Sequence, residues 1–123
     1  MAIARLAAIS LDSDDPVMLG RFYRELLDLE VSYESAELVV LRTKGVAITI
    51  ERINNYLAPD WPNDKTPKQM HLDLFVADLD ESEAAAVALG ASKPDTQPAP
   101  GKWRVLLDPS GHPFCLTLPP ATT

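Results

Sequence analysis

Apolar and polar positions alternate with period two in four stretches of the chain, and each reads as a strand with one buried face. In residues 5–12, Ala7, Ile9 and Leu11 share one face, and Ala8, Ser10 and Asp12 the other. Val46, Ile48 and Ile50 alternate with Ala47, Thr49 and Glu51. Leu72, Leu74 and Val76 alternate with His71, Asp73 and Phe75. Trp103–Leu107 and Phe114–Leu118 flank a tight turn at Asp108-Pro-Ser-Gly111. Leu38–Leu41 is a short apolar run before the turn signal Thr43-Lys44-Gly45.

Helical spacing interrupts this pattern twice. Asp14-Asp15-Pro16 combines an acidic cap with proline in the first turn, and Phe22, Leu26 and Leu29 then form one stripe. Asp80 and Glu83 have the spacing of a capping box, Ala84, Val87 and Ala88 form a stripe of small residues, and Gly90 signals the end. The order strand, helix, hairpin thus occurs twice, as a repeat of topology rather than of residue identity. Modules at about 3–53 and 70–118 flank a segment, 54–69, stiffened by Pro59, Pro62 and Pro67. Residues 93–101 read as a Pro/Gly-rich loop. The expected core is Ile9, Leu11, Phe22, Leu26, Ile48, Ile50, Leu72, Leu74, Val87, Leu106 and Leu116.

With 123 residues, 46% of them hydrophobic, the chain makes one domain, or two half-domains sharing one core, and the order of its elements gives the fold class α+β. A net charge of −7 argues against nucleic acid and against an anionic membrane surface. No apolar run reaches transmembrane length, and the start Met-Ala-Ile-Ala-Arg is too soon charged for a secretory segment. A single cysteine, Cys115, suits a reducing cytoplasm. There is no Gly-rich phosphate loop, no Cys-x-x-Cys pair and no nucleophile elbow.

The chemistry lies on the strand faces turned away from the apolar ones. These carry Ala8, Ser10 and Asp12; Thr49 and Glu51; His71 and Asp73; Cys115 and Thr117. Polar groups on several strands are costly unless paired or facing a wet cleft, about 1–3 kcal/mol each. A ligand site walled by Ser10, Thr49, Glu51, His71, Asp73 and Cys115 is expected, with Phe75, Ala8 and Ala47 as apolar parts. Its charge favours a neutral or cationic ligand unless a metal or Arg104 offsets Glu51 and Asp73. His71 and Glu51 are the candidate acid/base or ligand groups; the alternatives are a hydrogen bond within the sheet and a solvated strand end. Cys115 reads as a small buried hydrophobe or a functional thiol. His112, between Gly111 and Pro113, reads as structural or exposed. Tyr56 and Trp61 stand as either lid aromatics or dimer contacts.

Phe22-Tyr23, His71-Leu-Asp-Leu-Phe-Val-Ala-Asp-Leu-Asp80, Leu89-Gly90-Ala91 and Asp108-Pro-Ser-Gly-His-Pro113 together resemble the vicinal-oxygen-chelate superfamily, the glyoxalase and bleomycin-resistance group. The Trp61-Pro62 segment leading to His71 resembles small glyoxalase-like proteins of actinobacteria. The resemblance implies two βαβββ modules forming an open, curved, eight-stranded mixed sheet around a cleft, with helices on the outer face. It also implies metal-ligand positions at Ala8, Glu51, His71 and Cys115. Ala8 offers no ligand atom, and Cys115 departs from the usual carboxylate. The expectation is therefore a homodimeric protein that binds a small oxygenated molecule without a tight metal or other cofactor. The alternative is a metal-dependent lyase, isomerase or dioxygenase using Glu51 and His71, with Cys115 as a possible third ligand.

Overall fold

Two short acidic signals set where the helices begin. The structure, a computed structural model, describes residues 2–60 and 70–120, so Trp61 and most of the proline-stiffened segment lie outside the described residues. The chain runs β1 (Ala8–Ser13), α1 (Pro16–Leu27), β2 (Glu30–Glu34), β3 (Leu38–Arg42), β4 (Ala47–Arg52), β5 (Leu72–Phe75), α2 (Leu79–Leu89), β6 (Trp103–Leu107) and β7 (Pro113–Thr117). It divides into two compact units, Met1–Tyr56 and Leu57–Thr123. The architecture is α+β, with two mixed sheets and no closed barrel among the described residues.

In the first unit the strand order is β1-β4-β3-β2, with β1 parallel to β4 and the other pairs antiparallel. The Asp15 carboxylate caps α1 by accepting from the Met18 amide at 3.2 Å, and Pro16 opens the helix. Leu19, Phe22 and Tyr23 are buried, as are Val39, Leu41, Ile48 and Ile50 of the sheet. Gly20 faces the sheet: a Cβ there would lie 2.8 Å from Val39 Cγ1, so the helix comes closer than alanine allows. The helix ends at Leu27 because Asp28 turns into the left-handed region at φ 53°. Leu29 of the expected stripe therefore lies beyond the helix, and Leu26 is only half-buried. Strand β2 has no counterpart in the sequence reading. Glu30-Val-Ser-Tyr-Glu34 is a bulged edge strand, exposed at all positions but Val31, so it carries no apolar alternation.

In the second unit the order is β5-β7-β6, with β5 parallel to β7 and β6 antiparallel to it. The eighth strand implied by the resemblance is reduced to one bridge, Ser92 to Leu107. Pro94, Pro98 and Pro100 follow at once, and proline has no amide to continue a ladder. A side chain takes over instead. The Gln97 amide oxygen accepts from Val105 N at 2.9 Å, and its nitrogen donates to Val105 O at 2.9 Å and to Pro94 O at 3.0 Å. Trp103 N then donates to Ala99 O at 3.0 Å. The outer edge of β6 is thus satisfied by a loop rather than by a strand.

Helix α2 starts two residues before the expected signal. Asp78 is the cap, accepting from Glu81 N at 2.8 Å. The expected core residue Val87 is 45% exposed, and only Leu79 and Ala86 of the helix are buried. Asp80 and Glu83 serve a different end. Arg104, on β6, reaches Asp80 at 2.9 Å and Glu83 at 3.0 Å, and Lys93 reaches Glu83 at 3.1 Å. A helix that buries only Leu79 and Ala86 is thereby also tied to its sheet by charge. Ile48, Ile50, Phe22, Leu106 and Leu116 are buried as expected, while Ile9, Leu11, Leu72 and Leu74 are half-buried.

Candidate functional site

Register decides which side chains share a face. In the second unit Asp73 stands beside Cys115, and Cys115 beside Val105. In the next row Phe75 stands beside Thr117, and Thr117 beside Trp103. Residues directly opposite on paired strands point to the same side. Leu106, Phe114 and Leu116 have the other parity, and so does Arg104, which is bound to α2. The row residues therefore occupy the face turned away from the helix. All of them but Val105 line, with His71 and Pro98, a pocket of about 530 Å³.

One end of this pocket is polar. His71 Nε2 lies 3.2 Å from Asp73 Oδ1, with the ring half-buried and the carboxylate exposed. Cys115 is 4% exposed, and one ligand atom from each of His71, Asp73 and Cys115 lies within 4.8 Å of the others. The other end is apolar: Phe75 is 69% exposed and Trp103 36%. Arg104 does not offset the acidic lining. Its guanidinium is held on the helix side, where the hydrogen bond to Asp80, then that to Glu83, raises its pKa above the ordinary value. The pocket lining thus contains no lysine or arginine.

An imidazole, a carboxylate and a thiolate form a donor set suited to a zinc-like ion. Tetrahedral zinc at 2.0–2.3 Å from each ligand would set the donors about 3.3–3.8 Å apart. A 3.2 Å pair and a 4.8 Å limit come near this, so small side-chain rotations would fit an ion. The third donor in this group is Asp73, where the sequence reading has Glu51.

Ala8, Ser10, Asp12, Ala47, Thr49, Glu51 and Tyr56 lie in the first unit, while Trp61 is outside the described residues. Ser10 and Thr49 stand side by side on β1 and β4, and their hydroxyls hydrogen-bond to one another. Asp12 and Glu51 follow two residues on, with Glu51 exposed near the end of β4. Ala8 pairs with Ala47 and carries no ligand atom. Tyr56 is half-buried. The structural reading of His112 fits its place: its amide donates to Asp108 Oδ1 at 3.0 Å in the turn that Gly111 completes at φ 88°. The sequence reading did not single out Trp103 or Pro98 for the site. The signal for Trp103 was its period-two spacing from Val105; Pro98 had none, since a loop places it.

A family model described as a glyoxalase-like domain matches residues 8–117. The chain matches none of the curated proteins compared. Among solved structures, it is similar to a glyoxalase/bleomycin resistance protein/dioxygenase family enzyme from Burkholderia phytofirmans PsJN, at 18% identity over 94% of this chain and 98% of that one, with a TM-score of 0.70. A glyoxalase-related enzyme from Fulvimarina pelagi aligns at 22% identity, covering 96% and 90% of the two chains, with a TM-score of 0.68. The fosfomycin resistance protein FosX from Mesorhizobium loti aligns at 16% identity, covering 98% and 94%, with a TM-score of 0.70. At these identities the likeness is one of fold. No helix among the described residues is long and apolar enough to cross a membrane.

Proposed function

The chain belongs to the glyoxalase-like domain family, and from that premise we propose that it binds a small oxygenated molecule on the face of the second sheet opposite α2. One observation carries the reading: two exposed aromatics, Phe75 and Trp103, share a pocket with the His71–Asp73 pair. Water-exposed aromatic surface is unfavourable unless something covers it, and small-molecule sites combine such walls with a few placed polar groups. A planar or apolar part of the ligand lies against Phe75 and Trp103. A hydroxyl donates to Asp73, and His71 supplies the second polar contact. With no lysine or arginine in the lining, a neutral or cationic ligand is favoured over an anion.

Binding is read by quenching of indole fluorescence in a screen of neutral hydroxy- and carbonyl-bearing compounds. His71→Ala and Asp73→Asn are expected to weaken each hit by about tenfold or more, the loss of one hydrogen bond to a charged group. Hits that bind both variants as tightly as the parent overturn the assignment.

The donor group His71, Asp73 and Cys115 favours a second reading, a metal-dependent lyase, isomerase or dioxygenase. In it the three side chains hold a divalent ion, which would polarise a substrate oxygen. Our first reading needs no tight metal, because Ala8 offers no ligand atom. Metal analysis of protein purified without added metal separates the two: stoichiometric zinc, nickel or iron that His71→Ala removes supports the second. The homodimer expected from the open edges of small sheets is also part of the proposal, and a monomer by light scattering at high micromolar concentration refutes it. A cytoplasmic location completes it.

A further inference from the structure

The first unit holds a second pocket of different character. It measures about 400 Å³ and is lined by Arg5, Leu6, Ala7, Arg42, Thr43, Gly45, Val46 and Ala47. Two of these are arginines and none is acidic, in a chain of net charge −7. Neither guanidinium makes an ion pair or hydrogen bond among the described residues, as is also true of the side-chain cations of Arg21, Arg24 and Lys44. Glu30 stands opposite Arg42 across β2 and β3, yet the two form no ion pair. A neighbouring depression that shares Arg42 and Thr43 with this pocket is lined by Asp28, Glu30 and Lys44.

Hydrogen bonds hold two parts of the pocket wall. Thr43 Oγ1 accepts from Gly45 N at 3.2 Å and Val46 N at 3.1 Å and donates to the Val46 carbonyl, which locks the β3–β4 turn. Ala47 N donates to Ala7 O at 2.9 Å, which fixes the segment entering β1. Ala47 stands in register between Ala8 of β1 and Arg42 of β3. Small residues thus separate the two arginines, and nothing on the strands fills the gap.

We infer that Arg5 and Arg42 form a binding site for a doubly charged phosphoryl group, as carried by a small phosphorylated molecule. Guanidinium groups present paired N–H donors that match phosphate oxygens, and two of them in one pocket neutralise a dianion. Both arginines line one pocket whose wall carries no acidic side chain, so a dianion seated there meets two positive charges. The site lies in the first unit and stands apart from the reading of the second sheet, so either can fail without the other.

The test is titration of the isotopically labelled full chain with inorganic phosphate at constant ionic strength, following the amides of Gly45, Val46 and Ala47 by NMR. Saturable shifts at these amides are expected. Arg5→Gln and Arg42→Gln should each weaken binding by about tenfold or more, and Arg21→Gln, which alters an exposed arginine of α1, by no more than about twofold. Preserved spectral dispersion in each variant shows that the fold is intact. Failure to saturate, equal weakening by Arg21→Gln, or acetate binding as tightly as phosphate each overturns the inference.

Discussion

Replacing Gln97 by alanine removes the side chain that stands in for a missing strand. Its amide makes three hydrogen bonds, two to the backbone of Val105 and one to Pro94 O. Val105 is fully buried, so its N–H and C=O would lose their partners inside the protein. Each such group costs about 1–3 kcal/mol when left unmade. Gln97 itself is half-buried, so water can reach the edge and the lower part of that range applies. The expected loss is about 2–4 kcal/mol, read by urea denaturation. Hydrogen exchange at the Val105 amide should accelerate in step, since that donor loses its acceptor. Gln97→Glu sharpens the argument. A carboxylate keeps the acceptor for Val105 N but faces the carbonyls of Val105 and Pro94 with no donor. Its folded-state pKa is therefore raised, and its favourable contribution is present when it is protonated at low pH and lost as pH rises through that value. This variant should approach the parent in acid and fall away near neutrality. Stability of Gln97→Ala within about 0.5 kcal/mol of the parent, with Val105 protection unchanged, refutes the strand-substitute account.

Two other outcomes follow from packing and charge. For Glu83, burial alone would raise the carboxyl pKa. Hydrogen bonds from Arg104 and Lys93, with the charges of both, outweigh it and hold the group below its ordinary 4.5. The folded state then binds this proton less tightly than the unfolded chain, so its contribution is present above about pH 4.5 and lost as pH falls through the lower folded value. Glu83→Gln should flatten that part of the stability–pH curve, and an unchanged acid limb counts against the network. Gly20→Ala sets overpacking against Val39, about 1–3 kcal/mol, against a gain of about 1 kcal/mol in helix propensity. A net loss near 1 kcal/mol is expected, with positive coupling to Val39→Ala in a double-mutant cycle; purely additive effects refute the close approach.

Several features of this protein were decided locally and so were legible in its residues. Period-two alternation in β1, β4 and β5 reflects one buried face per strand, and the buried parity at Ile48 and Ile50 follows from it. The Asp15–Pro16 start of α1 depends on hydrogen bonds made within four residues. The ordered motifs running from Phe22-Tyr23 to Asp108–Pro113 carry the family resemblance in the residues themselves. What failed lacked an apolar signature or depended on a distant partner. Edge strand β2 is polar because solvent, not a core, meets its side chains. Val87 is exposed because Leu79 and Ala86, rather than the stripe of Ala84, Val87 and Ala88, face the core, and the pairing of Arg104 with Asp80 and Glu83 spans more than twenty residues of sequence. The substitution of Gln97 for a strand required the β6 edge to be in place. Above all, register rather than composition put Asp73 beside Cys115 and Trp103 beside Thr117. A shift of one residue would have turned each of them to the opposite face.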